Sequence, residues 1–344
     1  MNGVGKLFFT GLDGLELSNG EANFIRDYQL GGVILFSKNY ENRAQLKKLT
    51  SSLKEINPNI LIAVDHEGGR VQRFRNDFTE FPAMMEIAKI GSPKLCFDVH
   101  TQMAMELSSC GVNVNLSPCS DIFIDKDCSV IGDRAFGDNE QIVSDFVSSA
   151  VRGLLNGNVM CCVKHFPGHG NTSVDSHLDL PVIKDDLETI ISRDLIPFRK
   201  GVKSKSPMVM MAHLKIPSLD EKNITTVSET AYSFLRKQLK FNGIIITDDM
   251  EMGAIEKDYS PVEASRLALI SGATIVEYRS FEKTKLVVEE LSRESTLANI
   301  VEKNSEIIES QKNKFIQANQ NIDEVEIFDN GKKLLKKVLE ERPS

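Results

Sequence analysis

Val159-Met160-Cys161-Cys162-Val163-Lys164-His165 decides how the rest of the chain is read. Five consecutive apolar residues leave no polar face. The segment therefore reads as a strand covered on both sides, as in a buried parallel sheet. Its two polar residues both fall at the C-terminal end. Seven other runs share this character: Leu7–Leu12, Gly32–Phe36, Ile60–Asp65, Val112–Leu116, Met208–His213, Gly243–Asp248 and Ala273–Tyr278. Between them, apolar residues recur at helical spacing over Asn42–Ile56, Gln141–Leu155, Leu187–Val202, Ser228–Leu239, Pro261–Leu269 and Lys283–Leu291. Asp185 or Asp186, Ser228 and Ser260 are placed to cap three of these helices. Strand–helix alternation carried through eight strands predicts an α/β fold, a (β/α)8 TIM barrel. A doubly wound sheet is the competing architecture.

Beyond Tyr278 the chain is charged and helical, with no proline-rich linker and no second core. The expectation is one domain over residues 1–344, with a C-terminal helical extension from about 280 to 344. The run Gly331–Lys337 reads as a solvated helix face. Hydrophobic residues at 41% and charged residues at 26% exclude a disordered or fibrous chain. A formal net charge of −8 and a pI near 5.4 argue against nucleic acid or an acidic membrane as partner. No apolar run is long enough for a transmembrane helix, and the N-terminus does not read as a signal peptide. The six cysteines include no C-x-x-C pair and read as reduced thiols, so a cytoplasmic location is expected.

In such a barrel the functional site lies at the C-terminal ends of the strands. Titratable residues gather there: Asp65, His66 and Glu67 with Arg70 and Arg73; Asp121, Asp133 and Arg134; Lys164 and His165, then His169, Asp175 and His177; His213; Asp248 and Asp249. Five of the six histidines fall in these places, a concentration that scattered surface histidines would not give. His165 and His169 have a spacing that suits two metal ligands on a helix. Pro167 and Gly168 argue instead for a strand end opening into a loop. For each lone histidine a hydrogen-bonded structural role is the plain alternative; Lys164 and His165 together favour an electropositive wall facing a polar ligand. Asp175 and His177 point the same way if that stretch is extended, and a carboxylate beside an imidazole fixes its tautomer and raises its basicity. A simple loop hydrogen bond fits equally. Asp248 and Asp249 face opposite sides of their strand, one over the barrel mouth and one toward the helices, and the spacing leaves open which. Asp65–Arg70 lacks the spacing of a phosphate loop, and Gly68-Gly69 reads as a tight turn. Met208, Met210 and Met211 read as core.

Taken together these motifs resemble glycoside hydrolase family 3, in its single-domain, cytoplasmic β-N-acetylglucosaminidase form. The resemblance covers roughly Leu7 to Ala273. It rests on A-V-D-H-E-G-G-R-V-Q-R-F at Ala63–Phe74, N-L-S-P-C-S-D at Asn115–Asp121, V-I-G-D-R-A-F at Val130–Phe136, K-H-F-P-G-H-G at Lys164–Gly170, D-S-H at Asp175–His177 and I-T-D-D-M-E-M at Ile246–Met252. It implies a retaining exo-hydrolase acting on terminal β-linked N-acetylglucosamine, from peptidoglycan (muropeptide) fragments in cell-wall recycling. Asp248 matches the nucleophile, His177 the general acid/base and Asp175 its dyad partner. Asp65, Arg73, Arg134, Lys164 and His165 match the residues that bind the sugar. The resemblance thus selects Asp248 over Asp249. A histidine acid titrates nearer neutrality than a carboxylic acid, so the scheme departs from the usual carboxylate pair. No metal and no cofactor are implied, and the partner is a small carbohydrate. His–Asp chemistry also leaves room for phosphate as acceptor, which makes a phosphorylase the alternative. Remoter alternatives are a metal-dependent barrel hydrolase using His165, His169, His177, His213 and Asp248, and a non-catalytic sugar-binding protein. The family often has Gly-Ala-Asp at the eighth strand. Here Gly272-Ala273-Thr274 precedes Glu277-Tyr278-Arg279, which puts the eighth-strand wall and leaving-group preference in doubt.

Overall fold

All eight apolar runs form strands, and the strands close on themselves. The computed structural model describes residues 3–172, 180–315 and 323–343. In chain order its elements are β1 Phe8–Gly11, α1 Asn19–Asp27, β2 Gly32–Leu35, α2 Arg43–Ile56, β3 Leu61–Val64, β4 His66–Gly68, β5 Val71–Gln72, α3 Met84–Lys89, α4 Pro93–Ser109, β6 Val114–Asn115 and α5 Glu140–Asn156. There follow β7 Met160–Phe166, α6 Leu187–Thr189, α7 Leu195–Lys203, β8 Met208–Met211, α8 Glu229–Leu239, β9 Ile244–Asp249, α9 Gly253–Glu256, α10 Pro261–Ser271, β10 Ile275–Tyr278, α11 Phe281–Leu291, α12 Ala298–Lys312 and α13 Glu324–Glu341. The parallel barrel runs β1, β2, β3, β6, β7, β8, β9, β10 and closes from β10 onto β1, with Phe8 opposite Val276. This is the (β/α)8 barrel that the alternation predicts. Its strands are buried along nearly their whole length, because helices cover the outside and side chains fill the inside.

The capping expectations hold at Asp186, Ser228 and Ser260, whose side chains accept backbone N–H bonds at the starts of α6, α8 and α10. Two features depart from the sequence reading. The stretch read as a tight turn is an antiparallel hairpin, β4–β5, standing on the barrel rim. Its turn needs glycine: Gly69 has φ +54°, and a Cβ there would lie 2.7 Å from Ala83 Cα. The helix read over Leu187–Val202 is divided by a π turn, Ile190–Asp194, between α6 and α7.

The C-terminal helices pack onto the barrel. Asn304 of α12 donates to the Ala273 carbonyl at 2.8 Å, just before β10. Helix α13 lies on α4, where Gln102 donates to the Ile327 carbonyl at 2.7 Å, and the Arg43 guanidinium sits 3.9 Å from the centre of the Phe328 ring. Lys332, Lys333, Lys336 and Lys337 face solvent, as read from the sequence. All six cysteines are buried and unbridged. Among the described residues no helix is long and apolar enough to cross a membrane.

Candidate active site

Strand β3 ends at Val64, and the next residue, Asp65, faces a cleft of about 610 Å³ over the C-terminal ends of the strands. Asp65, Arg73, Arg134, Lys164, His165 and Asp248 all line this cleft. The sequence reading selected these six from four separate segments, and the barrel brings them together. Asp175 and His177 lie outside the described residues. Two other clefts, of about 460 and 650 Å³, lie against the outer helices α1, α2 and α12, and α8, α10 and α12. Both lie away from the C-terminal ends of the strands.

Lys164, from β7, organises one wall. Its Nζ donates to Asp65 Oδ1 and lies equally close to Glu67 Oε1, both at 2.7 Å. Arg73, on the rim, reaches Asp65 Oδ2 at 3.2 Å. Arg134 forks onto Glu67 through Nε and Nη2 at 2.9 and 2.8 Å. Burial alone would push these carboxyls up. Lys164 and Arg73 outweigh it at Asp65, which is held at about 2, and Arg134 and Lys164 hold Glu67 well below the usual range. Burial would also favour a neutral amine at Lys164, but Asp65 and Glu67 keep it charged. Glu67 is the member the sequence reading passed over. The signal was present: Asp65 and Glu67 are two apart in an extended segment, the separation that puts two side chains on one side.

His165 is oriented from below. Its Nδ1 donates to Asp121 Oδ2 at 2.7 Å, and Arg134 Nη2 lies 3.3 Å from its Nε2. These partners fix the orientation of the ring in the cleft. Asp121 also accepts the backbone N–H groups of His165 and His169, the latter at 2.7 Å. Cys119, Asp121 and His165 form the one group among the described residues that brings three ligating atoms within 4.8 Å of one another. The Cys119 thiol donates to Asp121 at 3.2 Å, and burial pushes its pKa well up. With the thiol protonated and a guanidinium alongside, this cluster suits orientation of His165 better than a cation. His213 is likewise engaged on both sides, with Thr226 Oγ1 at Nδ1 and the Asp249 carbonyl at Nε2.

The two aspartates ending β9 have opposite environments. Asp248 accepts the Asp249 N–H at 2.9 Å. Burial raises its pKa, but His165 and His213 outweigh that and leave it below the ordinary value. Asp249 accepts the N–H groups of Glu251 and Arg279 at 3.0 and 3.3 Å, and so shapes the turn after the strand. Burial there outweighs those donors and Arg279, and lifts Asp249 to about 7. Both line the cleft, but Asp248 is held toward its ionised form whereas Asp249 is pushed up and shapes the turn. Arg70 closes the far rim by donating to Asp133 and to the carbonyls of Ser129, Val130 and Ile131, which ties the β4–β5 hairpin to the loop before α5.

A parallel barrel whose strand ends converge on paired carboxylates and cations fits a glycoside hydrolase. Residues 5–311 match the glycosyl hydrolase family 3 N-terminal domain, and the chain belongs to that family. It is 39% identical over 246 residues to a β-hexosaminidase of Methylobacillus flagellatus, an alignment that covers 70% of each chain. Its fold is similar to a glycoside hydrolase family 3 β-N-acetylglucosaminidase from a Paenibacillus species, with a TM-score of 0.93 and 29% identity over 99% of this chain and 68% of that one. It is also similar to NagZ from Neisseria gonorrhoeae in complex with N-trifluoroacetyl-D-glucosamine, with a TM-score of 0.78 and 30% identity over 96% and 97% of the two chains.

Proposed function

We propose that this glycoside hydrolase is a retaining exo-β-N-acetylglucosaminidase, acting on non-reducing N-acetylglucosamine of peptidoglycan fragments in the cytoplasm. Residues 1–344 would form one glycosidase domain with its helical tail from about 280. The observation that carries the reading is the place of Asp248: a carboxylate at the C-terminal end of β9 that lines a cleft of sugar-binding size together with the Lys164–Asp65–Arg73 cluster. In this reading Asp248 attacks the anomeric carbon and forms a covalent glycosyl-enzyme. His177, oriented by Asp175, protonates the departing glycosidic oxygen and then deprotonates the incoming water. Asp65, Arg73, Arg134, Lys164 and His165 hold the sugar. Charged donors and acceptors already fixed by one another need little reordering when substrate arrives, which favours a sugar hydroxyl over bulk water. The names and ligand of the similar proteins support the N-acetylglucosamine specificity.

The test is release of 4-nitrophenol from its β-N-acetylglucosaminide. Wild type should turn over, with a rate indifferent to chelator. Asp248→Ala should lose at least about 10³-fold in kcat while still binding N-acetylglucosamine by calorimetry. Full activity in the variant would remove Asp248 from the mechanism. A rate that rises with phosphate, with a sugar 1-phosphate as product, would make the enzyme a phosphorylase.

A further inference from the structure

Glu277 is a cleft-lining acid that the mechanism above does not use. It belongs to the eighth-strand segment that departs from the family pattern. Tyr278 beside it turns outward, its hydroxyl 2.8 Å from Ser265 and 2.9 Å from the Pro261 carbonyl of α10. Alternation along β10 therefore turns Glu277 inward. Its backbone is fixed at both ends: the N–H donates to Thr247 Oγ1 at 3.1 Å, and the carbonyl accepts the Met250 N–H at 3.0 Å. The residue is 3% exposed, and its Oε2 has no hydrogen-bond partner among the described residues. A sealed polar atom without a partner is costly to a fold, and here it stands beside a cavity where a ligand could supply one.

We propose that Glu277 determines sugar specificity, its carboxyl forming a hydrogen bond with one ring hydroxyl of the carbohydrate in the cleft. The inference rests on the glycosidase reading above. Burial, together with the carboxylates of Asp65, Asp249 and Asp248, pushes the Glu277 carboxyl well above the usual range, against the opposing charge of Lys164. As a neutral acid it can donate its O–H to a sugar oxygen and accept a hydroxyl proton in return. It also adds no negative charge next to Asp248. A site built to bond a hydroxyl rejects an analogue that lacks it, because the buried partner is then stranded.

The experiment compares wild type, E277L and E277Q on 4-nitrophenyl β-N-acetylglucosaminide and on its 3-, 4- and 6-deoxy derivatives. Thermal melts and calorimetric binding of N-acetylglucosamine accompany the kinetics. E277L should raise KM about tenfold or more and weaken N-acetylglucosamine binding in step, with kcat changed less than about threefold. Its melting temperature should not fall, because an apolar side chain replaces an unpaired acid. E277Q, which keeps a neutral donor and acceptor, should stay within about threefold of wild type throughout. One deoxy substrate should cost wild type about tenfold or more and cost E277L little, since the partner is already gone. Unchanged KM and sugar affinity in E277L would overturn the proposal. So would deoxy penalties identical in the two proteins, or a tenfold loss in a stable E277Q. Wild type that neither cleaves the glycoside nor binds the sugar would instead defeat the glycosidase reading on which it rests.

Discussion

Glu67→Gln tests whether the charge network under the cleft holds the site together. The substitution preserves shape and removes one negative charge. Glu67 is 2% exposed, and its two partners, Lys164 and Arg134, are 3% and 10% exposed. Removing one member of a buried ion pair typically costs ~3–5 kcal/mol, because the other charge is left in low dielectric. The lower end applies here. Lys164 keeps Asp65, whereas Arg134 keeps only the Val130 carbonyl at 3.0 Å and the His165 ring. At roughly 2.1 cal/mol/K per residue, the unfolding entropy of a 344-residue chain is about 0.7 kcal/mol/K, so a loss of ~3 kcal/mol lowers the melting temperature by about 4 °C. The assay is a thermal melt of wild type, E67Q, R134Q and the double variant. Most of the E67Q loss is the stranded guanidinium, so removing Arg134 as well should recover ~1–3 kcal/mol relative to additivity. An E67Q protein that melts with wild type would refute the reasoning, as would strictly additive losses.

The pH dependence of stability should have two limbs. Asp65 and Asp121 sit at about 2 in the fold against 3.8 when exposed, so the unfolded chain takes up those protons first as pH falls. Their contribution, ~2 kcal/mol each, is complete above about pH 4 and lost toward pH 2. Asp249 and Asp194 have the opposite sign. Burial lifts them to about 7 and 6, so their contribution is complete below about pH 4 and lost as pH rises through those values. Between about pH 4 and 6.5 the buried His66, His100 and His169, pushed down to about 3, 4 and 4, act the other way, so the test is the difference between two proteins: urea midpoints of D249N should gain on wild type as pH rises from about 4 to 7, and an unchanged difference would contradict the assignment. At the other end of the chain, Gly331→Ala should destabilise by ~1–3 kcal/mol even though alanine is the better helix former. Its Cβ would lie 2.2 Å from Thr79 Oγ1 and 2.3 Å from Glu106 Oε1, under α13. Melts should show the loss while kcat/KM stays within about twofold, and a variant as stable as wild type would mean that α13 is not seated on α4 in this way.

The barrel was legible because parallel strands buried on both faces cannot hide: eight apolar runs, four of them ending in an aspartate or histidine and all separated by long intervals, admit few architectures. The hairpin β4–β5 was not legible, since His66, Glu67 and Gln72 give no alternation of apolar and polar, and the glycine pair signals only a turn. The strand pattern left Asp248 and Asp249 equivalent, and only the family resemblance chose between them. Their distinction comes from partners brought from other strands: His165 and His213 beside one, and the backbone N–H groups of Glu251 and Arg279 on the other.

Glu67 and Glu277 show the same limit from two sides. Both are acids near the C-terminal ends of barrel strands, and neither was chosen from the sequence, although Glu67 stands two residues from Asp65. In the fold one gains two cations and becomes a fixed charge, whereas the other gains none at its Oε2 and is pushed toward neutrality. A carboxylate held by Lys164 and Arg134 can only position those cations. A carboxyl left without a partner beside the cavity still has its hydrogen-bonding capacity to give. Residue type and place in the chain are alike in the two cases, so what separates framework from ligand contact in this barrel is which buried polar groups remain unsatisfied once every strand is in register.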